Sequence, residues 1–362
     1  MDTSDPEIEF DSSGVCNHAL KAIEYFKDKN QEVYEKETSL MLEYIKKHCK
    51  GKKYDCIIGL SGGVDSSYVT YLAKEKFQLN PLIVHVDAGW NNDIAVKNIK
   101  NLVQKLNLDL HTIVIDWEKI RSLQLAYFKS SIANIDVPQD HVFISSVYKL
   151  ARKKRIPIIL NGNNMSTESI LPQSWGYDAM DSTQIKDINR IFDGKKLKGY
   201  PMMTPLQWHF IYPKVLKIRS FSPLNMMDYN KSEAMKILKD KFDWQDYGGK
   251  HNESKFTRFF QSHYLPKKFN IDKRKAHLSS LIISNQITRD EALIELQKPL
   301  YKKENDLKSD IEFFIKKLGI TIDEYEEIMN LPVKNYTDYS NSELEIARYK
   351  KIYRFMKRTF KI

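Results

Sequence analysis

Two rhythms of apolar residues alternate along this chain. Continuous apolar runs at 55–60, 81–86, 110–115 and 156–160 are too short for helices and rich in Ile, Leu and Val, which predicts buried strands. The stretches 66–76, 92–106, 117–132 and 141–154 between and around them read as helices; Val69, Leu72 and Ala73 share one helical face. A further helix is expected over 31–50, with Leu40, Tyr44, Ile45 and Cys49 in register and Gly51 as its stop. Residues 1–30 read as an irregular lead-in with a turn at Ser12-Ser13-Gly14, and Val215-Leu216-Lys217-Ile218 as a last strand before a helix at 231–241. Beyond Pro299 the chain is helical and charged, ending in a basic amphipathic helix through Ile346, Tyr349 and Tyr353. Apolar strands separated by amphipathic helices predict an α/β fold: a mostly parallel sheet with helices on both faces, plus a helical C-terminal region. The expected divisions are 1–50, 51–242 and 243–362. In such sheets ligands sit at the carboxyl ends of the strands.

The first strand runs into Ser61-Gly62-Gly63-Val64-Asp65-Ser66-Ser67 and then directly into a helix. Paired glycines let the backbone turn sharply and approach a ligand, the serines add donors, and the helix aims its free N–H groups into the turn. That chemistry suits phosphate. A Walker-type loop would place a lysine here and none is present, so the turn suits a group that leaves as pyrophosphate.

S-G-G-x-D-S after a first strand resembles the signature of the PP-loop, or N-type, ATP pyrophosphatases, whose core is adenine nucleotide α-hydrolase-like. The resemblance implies that residues 51–242 split ATP between its α and β phosphates, with Ser61, Gly62, Gly63, Val64, Asp65, Ser66 and Ser67 on ATP and Asp65 also catalytic. It places Asp87, Gly89 and Trp90, after the second strand, and Gly162, after the fourth, beside the nucleotide. Asp87 to Asn91 also reads as a turn and helix cap, which leaves an exposed Trp90 unexplained. The segment Asn161 to Glu168 is similar to one in NAD synthetase that meets ATP and magnesium, so Glu168, with Thr167 and Asp65, is a candidate for Mg²⁺. A helix start capped by Ser166 or Thr167 explains the same residues equally well. The aromatic, Pro-rich stretch 171–212 suits either nucleobase stacking or a domain interface.

Further along, Lys250, His251 and Glu253 stand in one polar cluster and Lys273, Arg274 and His277 in another. Such groups clamp polyphosphates, although a charged helix surface gives the same pattern. With the turn and Asp87-Ala88-Gly89-Trp90-Asn91, this segment resembles the N-acetyl sugar amidotransferases of bacterial surface-polysaccharide synthesis, from Met1 to about Leu300. That resemblance implies conversion of an acetamido group on a nucleotide-activated sugar to an acetamidino group. ATP and Mg²⁺ are used, and ammonia comes from separate glutaminase and cyclase-like subunits. Catalytic roles then fall on Lys250, Lys273 and Arg274 for phosphate charge and on His251 or Glu253 for the proton of ammonia. The family carries two C-x-x-C pairs; here Cys16-Asn17-His18-Ala19 lacks the second cysteine, so no structural zinc is expected.

Composition adjusts this picture in small ways. The net charge of +10 favours polyanionic ligands, and an RNA-modifying enzyme of the same superfamily is the competing reading. A thiolase would need a reactive cysteine after a strand end, and a lysidine synthetase its own tRNA-binding domains, so no nucleic acid is expected. A non-catalytic nucleotide-binding subunit is a third reading, which the intact turn opposes. Three cysteines supply no disulfide framework, the acidic N-terminus is not a signal peptide, and no run reaches the ~18 apolar residues of a membrane span, so a cytoplasmic protein is expected, with a homodimer allowed.

Overall fold

The computed structural model describes residues 1–247 and 254–360. At its centre are β1 (Cys56–Gly59), β2 (Pro81–Asp87), β3 (Leu110–Val114), β4 (Ile158–Leu160) and β5 (Arg219–Phe221), all parallel in the order β3-β2-β1-β4-β5. Ile57 of β1 stands between Leu82 and Ile159, and Leu160 pairs with Phe221. The chain leaves β1 toward β2 and β3 on one side and later crosses to β4 and β5 on the other. The crevice outside the carboxyl ends of β1 and β4 is therefore the switch point where such sheets bind ligands.

Alternation along the strands sends side chains to two cores. Ile58, Ile83, Ile158 and Leu160 pack under α2 (Gln31–Cys49), α3 (Val64–Tyr71), α4 (Asp93–Lys105) and α9 (Lys231–Phe242). Ile57, Val84, Val86 and Ile159 face the other way, onto α5 (Trp117–Lys129), α6 (Val137–Lys154) and α8 (Ser182–Phe192). The second core continues without a break into the C-terminal region. Phe256 and Phe259 of α10 (Lys255–Phe259) meet Phe314 of α14 (Glu304–Leu318), with the rings of Phe259 and Phe314 stacked 3.9 Å apart. Each such fully buried side chain contributes about 1.5–3 kcal/mol. Helices α11 (Leu265–Phe269), α12 (Arg274–Ile283), α13 (Arg289–Gln297), α15 (Ile322–Asn330) and α16 (Glu343–Phe360) complete this side, and α12 packs on α7 (Met165–Glu168), just beyond β4. Among the described residues no helix is long and apolar enough to cross a membrane.

Four expectations shift. The lead-in holds a helix, α1 (Asn17–Lys27), whose N-terminus is capped by the Cys16 thiol rather than by a hydroxyl or carboxylate. The helix expected over 66–76 starts at Val64 and passes into a π-helical turn at Leu72–Lys76. The helix expected from residue 141 begins at Val137, with Pro138 in its first turn, where a missing N–H costs nothing. The last strand is Arg219–Phe221, not 215–218, because Val215 ends a π-helical segment, Gln207–Val215. An edge strand needs no continuous apolar run, so its register was not visible in hydropathy.

Candidate active site

The turn after β1 is held from beneath and from both sides. Gly62 adopts φ +85°, and its carbonyl accepts from the indole N–H of Trp244 at 3.0 Å and the Asn98 amide at 3.3 Å. Ser61 Oγ accepts from the Gly63 N–H at 3.2 Å and sits 3.2 Å from Ser66 Oγ, while Val64 and Ser67 are buried below. No side chain caps α3, so its first N–H groups are left to the turn, the arrangement that binds phosphate. The loop after β4 closes on the same point: a Cβ on Gly162 would lie 2.9 Å from the Ser66 backbone nitrogen. Glycine there keeps the helix start open to a ligand.

Asp65, on the first turn of α3, accepts a hydrogen bond from the Tyr229 hydroxyl. Burial, then Asp65, with Glu168 adding, raise the pKa of Tyr229, so both carboxylates act on one neutral phenol. Hard oxygen donors of this kind fit Mg²⁺, which keeps water and phosphate oxygens for its remaining positions. The cap of α7 is Asn164, whose side chain accepts from the Thr167 N–H at 2.8 Å, not Ser166 or Thr167.

Past β2, Asp87 accepts from the Gly89 N–H at 2.8 Å and from the Asn91 side chain at 3.0 Å, and the same Asn91 nitrogen lies 3.1 Å from His85 Nε2. Trp90 is not exposed. It is 2% accessible, donates to Gln124 Oε1 at 2.5 Å and packs against Trp117, Phe256 and Phe314, so its indole belongs to the core beneath the site. Gly89 is held to glycine by φ +83° and by Trp117, which a Cβ would approach to 2.7 Å.

A cleft of about 570 Å³ opens over these strand ends. Ser61, His85, Asn91, Asn161 and Gly162 line its polar side, and Phe143, Ile144, Tyr148 and Trp208 its apolar side. Trp208 and Tyr212 of the 171–212 stretch both meet Tyr148, at 5.1 and 5.6 Å between ring centroids. Into the same cleft project Asp136, Asp140 and Lys273, of which the two aspartates had no motif to announce them. Asp136 and Asp140 lie one helical turn apart at the start of α6. Asp140 is open to the cleft, and the protein around it, with Asp136 beside it and Lys273 opposing, raises its pKa above the usual carboxylate range.

A second cleft, of about 710 Å³, adjoins the first. Gln261 and Lys273 belong to the walls of both. Its lining includes Lys231, Arg258, Arg274, His277, Lys298 and Lys302 against Asp272, Glu295 and Asp306. Part of this charge is committed to structure. Arg274, expected as a phosphate clamp, holds Asp272 at 2.7 Å and the Lys298 carbonyl at 2.8 Å, tying α12 to the end of α13. Arg258 is paired through two nitrogens with the buried Asp310. His277 Nδ1 lies 2.9 Å from the Thr167 carbonyl. Lys250, His251 and Glu253 lie outside the described residues.

Cys16, Cys49 and Cys56 are all free and buried, and burial pushes the thiols of Cys49 and Cys56 up. His18 Nε2 is 2.6 Å from Asp5 Oδ2, so the Cys16-Asn17-His18 segment is engaged in a helix cap and a hydrogen bond.

Two family models match the chain: NAD synthase over residues 33–167, and the C-terminal domain of the WbpG-like LPS biosynthesis proteins over residues 253–355. An uncharacterized protein of Methanocaldococcus jannaschii is 26% identical over 208 residues, 56% of this chain and 68% of that protein. The NH(3)-dependent NAD(+) synthetase of Mycoplasmopsis pulmonis is 25% identical over 138 residues, 38% of this chain and 53% of the synthetase. Among solved structures, the NH3-dependent NAD synthetase of Campylobacter jejuni is 19% identical with a TM-score of 0.30, covering 58% of this chain and 93% of its own. A U34-tRNA thiolase of Methanococcus maripaludis is 13% identical with a TM-score of 0.31, covering 74% and 82%.

Proposed function

We propose a reaction for this chain on the premise that it belongs to the PP-loop ATP pyrophosphatase superfamily and carries a WbpG-like C-terminal domain. It is an ATP-dependent, AMP-forming amidotransferase of surface-polysaccharide synthesis. Its substrate is a nucleotide-activated acetamido sugar, and its product carries an acetamidino group. The observation that carries this reading is the pair of adjoining clefts with Lys273 and Gln261 in their common wall. One cleft contains the phosphate turn, and the other is basic enough for the phosphates of an activated sugar. The shared wall brings the two substrates within reach of each other.

An amide oxygen is a poor leaving group. Its attack on the α phosphate of ATP expels pyrophosphate and yields an O-adenylated imidate, from which ammonia displaces AMP. The turn from Ser61 to Ser67 and the start of α3 hold the departing pyrophosphate, while Asp65 and Glu168 would hold Mg²⁺, which supplies charge neutralisation to the phosphates when bound. Lys273 stands where it can stabilise phosphate from either cleft. No covalent enzyme intermediate is required, so positioning and charge do the catalytic work. The buried thiols support a separate source of ammonia, because a glutaminase nucleophile needs an accessible thiolate. The same burial counts against sulfur transfer to RNA.

The test is a reaction with ATP, Mg²⁺, ammonium and a panel of UDP- and CMP-linked acetamido sugars, one carrying heavy oxygen in the acetamido group. Sugar-dependent AMP and pyrophosphate, with the heavy oxygen recovered in AMP, is the expected result. Turnover driven by bulk tRNA and by no sugar would overturn the reading.

A further inference from the structure

The cleft over the strand ends contains a proton-accepting group that neither phosphate binding nor sugar binding employs. Asp136 and Asp140 sit at i and i+4 on α6, so they share a helix face, and both line the cleft with Ser61 and Gly162. Their situations differ. Asp136 is 6% accessible and satisfied: it accepts from Gln139 Nε2 at 2.5 Å and from the Thr257 hydroxyl at 2.8 Å. Asp140 makes no hydrogen bond or ion pair with any described side chain, and it is open to the cleft. The other titratable groups that act on it are Lys273, ahead of α12, and Tyr200, whose hydroxyl is occupied by the Pro138 carbonyl at 2.6 Å.

We propose that Asp140, backed by the fixed carboxylate of Asp136, receives ammonium in the cleft and takes the proton that must leave before ammonia can attack the activated acetamido carbon. This rests on the reaction proposed above and adds the residue that sets its nitrogen step. Ammonium is the form present in neutral water, and it has no lone pair. A small cation entering the cleft meets Asp140 first, because it is the one unengaged carboxylate among the described residues that line it. The proton passes from ammonium to Asp140, and the ammonia lone pair forms the new C–N bond. The C–O bond then breaks, and AMP departs with the acetamido oxygen. The amidinium left behind carries one positive charge, which balances the negative charge gained by AMP, and Asp140 returns its proton to water. A base is most effective when its pKa lies near the working pH, and the surroundings of Asp140 move it in that direction.

The experiment separates the two half-reactions. Sugar-dependent exchange of pyrophosphate into ATP reports adenylation, and amidine formation at varied total ammonium reports the nitrogen step. Asp140→Asn is expected to keep exchange near the wild-type rate and lose about 100-fold or more in amidine formation at neutral pH. In the wild type the rate at fixed total ammonium rises with pH and levels off at the ionisation of Asp140, below that of ammonium itself. In Asp140→Asn it follows free ammonia and climbs on to the ionisation of ammonium itself. Wild-type amidine rates with a wild-type profile overturn the proposal, as does a variant that loses exchange and amidine formation in parallel. Asp136→Asn keeps a carbonyl oxygen for Gln139 and Thr257 but removes the neighbouring charge, so levelling-off moves to lower pH; an unmoved profile also overturns it. If the wild type shows no sugar-dependent exchange, the proposed reaction itself has failed, and this inference falls with it before any variant is made.

Discussion

Replacing Gly62 with alanine tests the phosphate turn at its narrowest point. The residue sits at φ +85°, where an L side chain costs about 1–2 kcal/mol. The new Cβ would also lie 2.4 Å from the Ala95 carbonyl oxygen and 2.9 Å from its carbon, both backbone atoms of the first turn of α4. Ala95 is 1% accessible, so that turn has nowhere to retreat, and relieving such overpacking costs about 1–3 kcal/mol more. The expected loss is therefore about 2–5 kcal/mol, together with loss of ATP turnover, because the Gly62 carbonyl is the anchor for Asn98 and Trp244. Gly51→Ala is the control. Gly51 has φ +77° with nothing within 4 Å of its would-be Cβ, so it carries the conformational cost alone, about 1–2 kcal/mol. Urea unfolding followed by tryptophan fluorescence, with AMP release measured on the same samples, reads both quantities. Equal midpoints for the two variants, or wild-type AMP release by Gly62→Ala, would refute the packing argument.

Other outcomes follow from single contacts. His141 is buried, with Nδ1 facing the Ala179 carbonyl at 2.8 Å and Nε2 accepting the Met203 N–H at 3.0 Å, and burial lowers its pKa from 6.5 to about 4. Its stabilising contribution is whole above about pH 6.5 and is lost as pH falls toward 4, on the order of 3 kcal/mol. His141→Gln should flatten the urea midpoint between pH 7 and pH 4.5, and an unchanged slope would show another group responsible. Asp310→Ala removes the partner of Arg258 and an acceptor of the Tyr301 hydroxyl, at 3.0 Å, which should cost about 3 kcal/mol by urea unfolding. Trp90→Phe leaves Gln124 Oε1 buried without its donor, for about 1–3 kcal/mol, with adenylation retained because the indole lies in the core.

The parts of the molecule that could be read from sequence are the local ones. A strand, two glycines and a helix define the turn from Ser61 to Ser67 within a dozen residues, and Gly162 could be found because it follows the fourth predicted strand. Trp90 could not be placed, since the same five residues serve as a turn whether the indole points to solvent or into Phe256 and Phe314, which arrive from more than 160 residues away. Asp136 and Asp140 were invisible for the same reason. Ile135-Asp136-Val137-Pro138-Gln139-Asp140 reads as a break between helices, and only Pro138, two residues from an aspartate on either side, hinted at a helix start. That their shared face meets a cleft is a property of the sheet order and of α10 and α12 closing over it. Arg274 taught the reverse lesson: a basic run cannot say whether its guanidinium meets a ligand or the carbonyls of a neighbouring helix.

Gln261 and Lys273 border both clefts. Such a partition acts as a ruler. A donor whose phosphates are seated on one side can present to the other only a group that lies a fixed number of bonds away. If the proposed reaction holds, isomers that carry the same acetamido group at a nearer or farther ring carbon are sorted by reach, before any hydrogen bond to the sugar is counted.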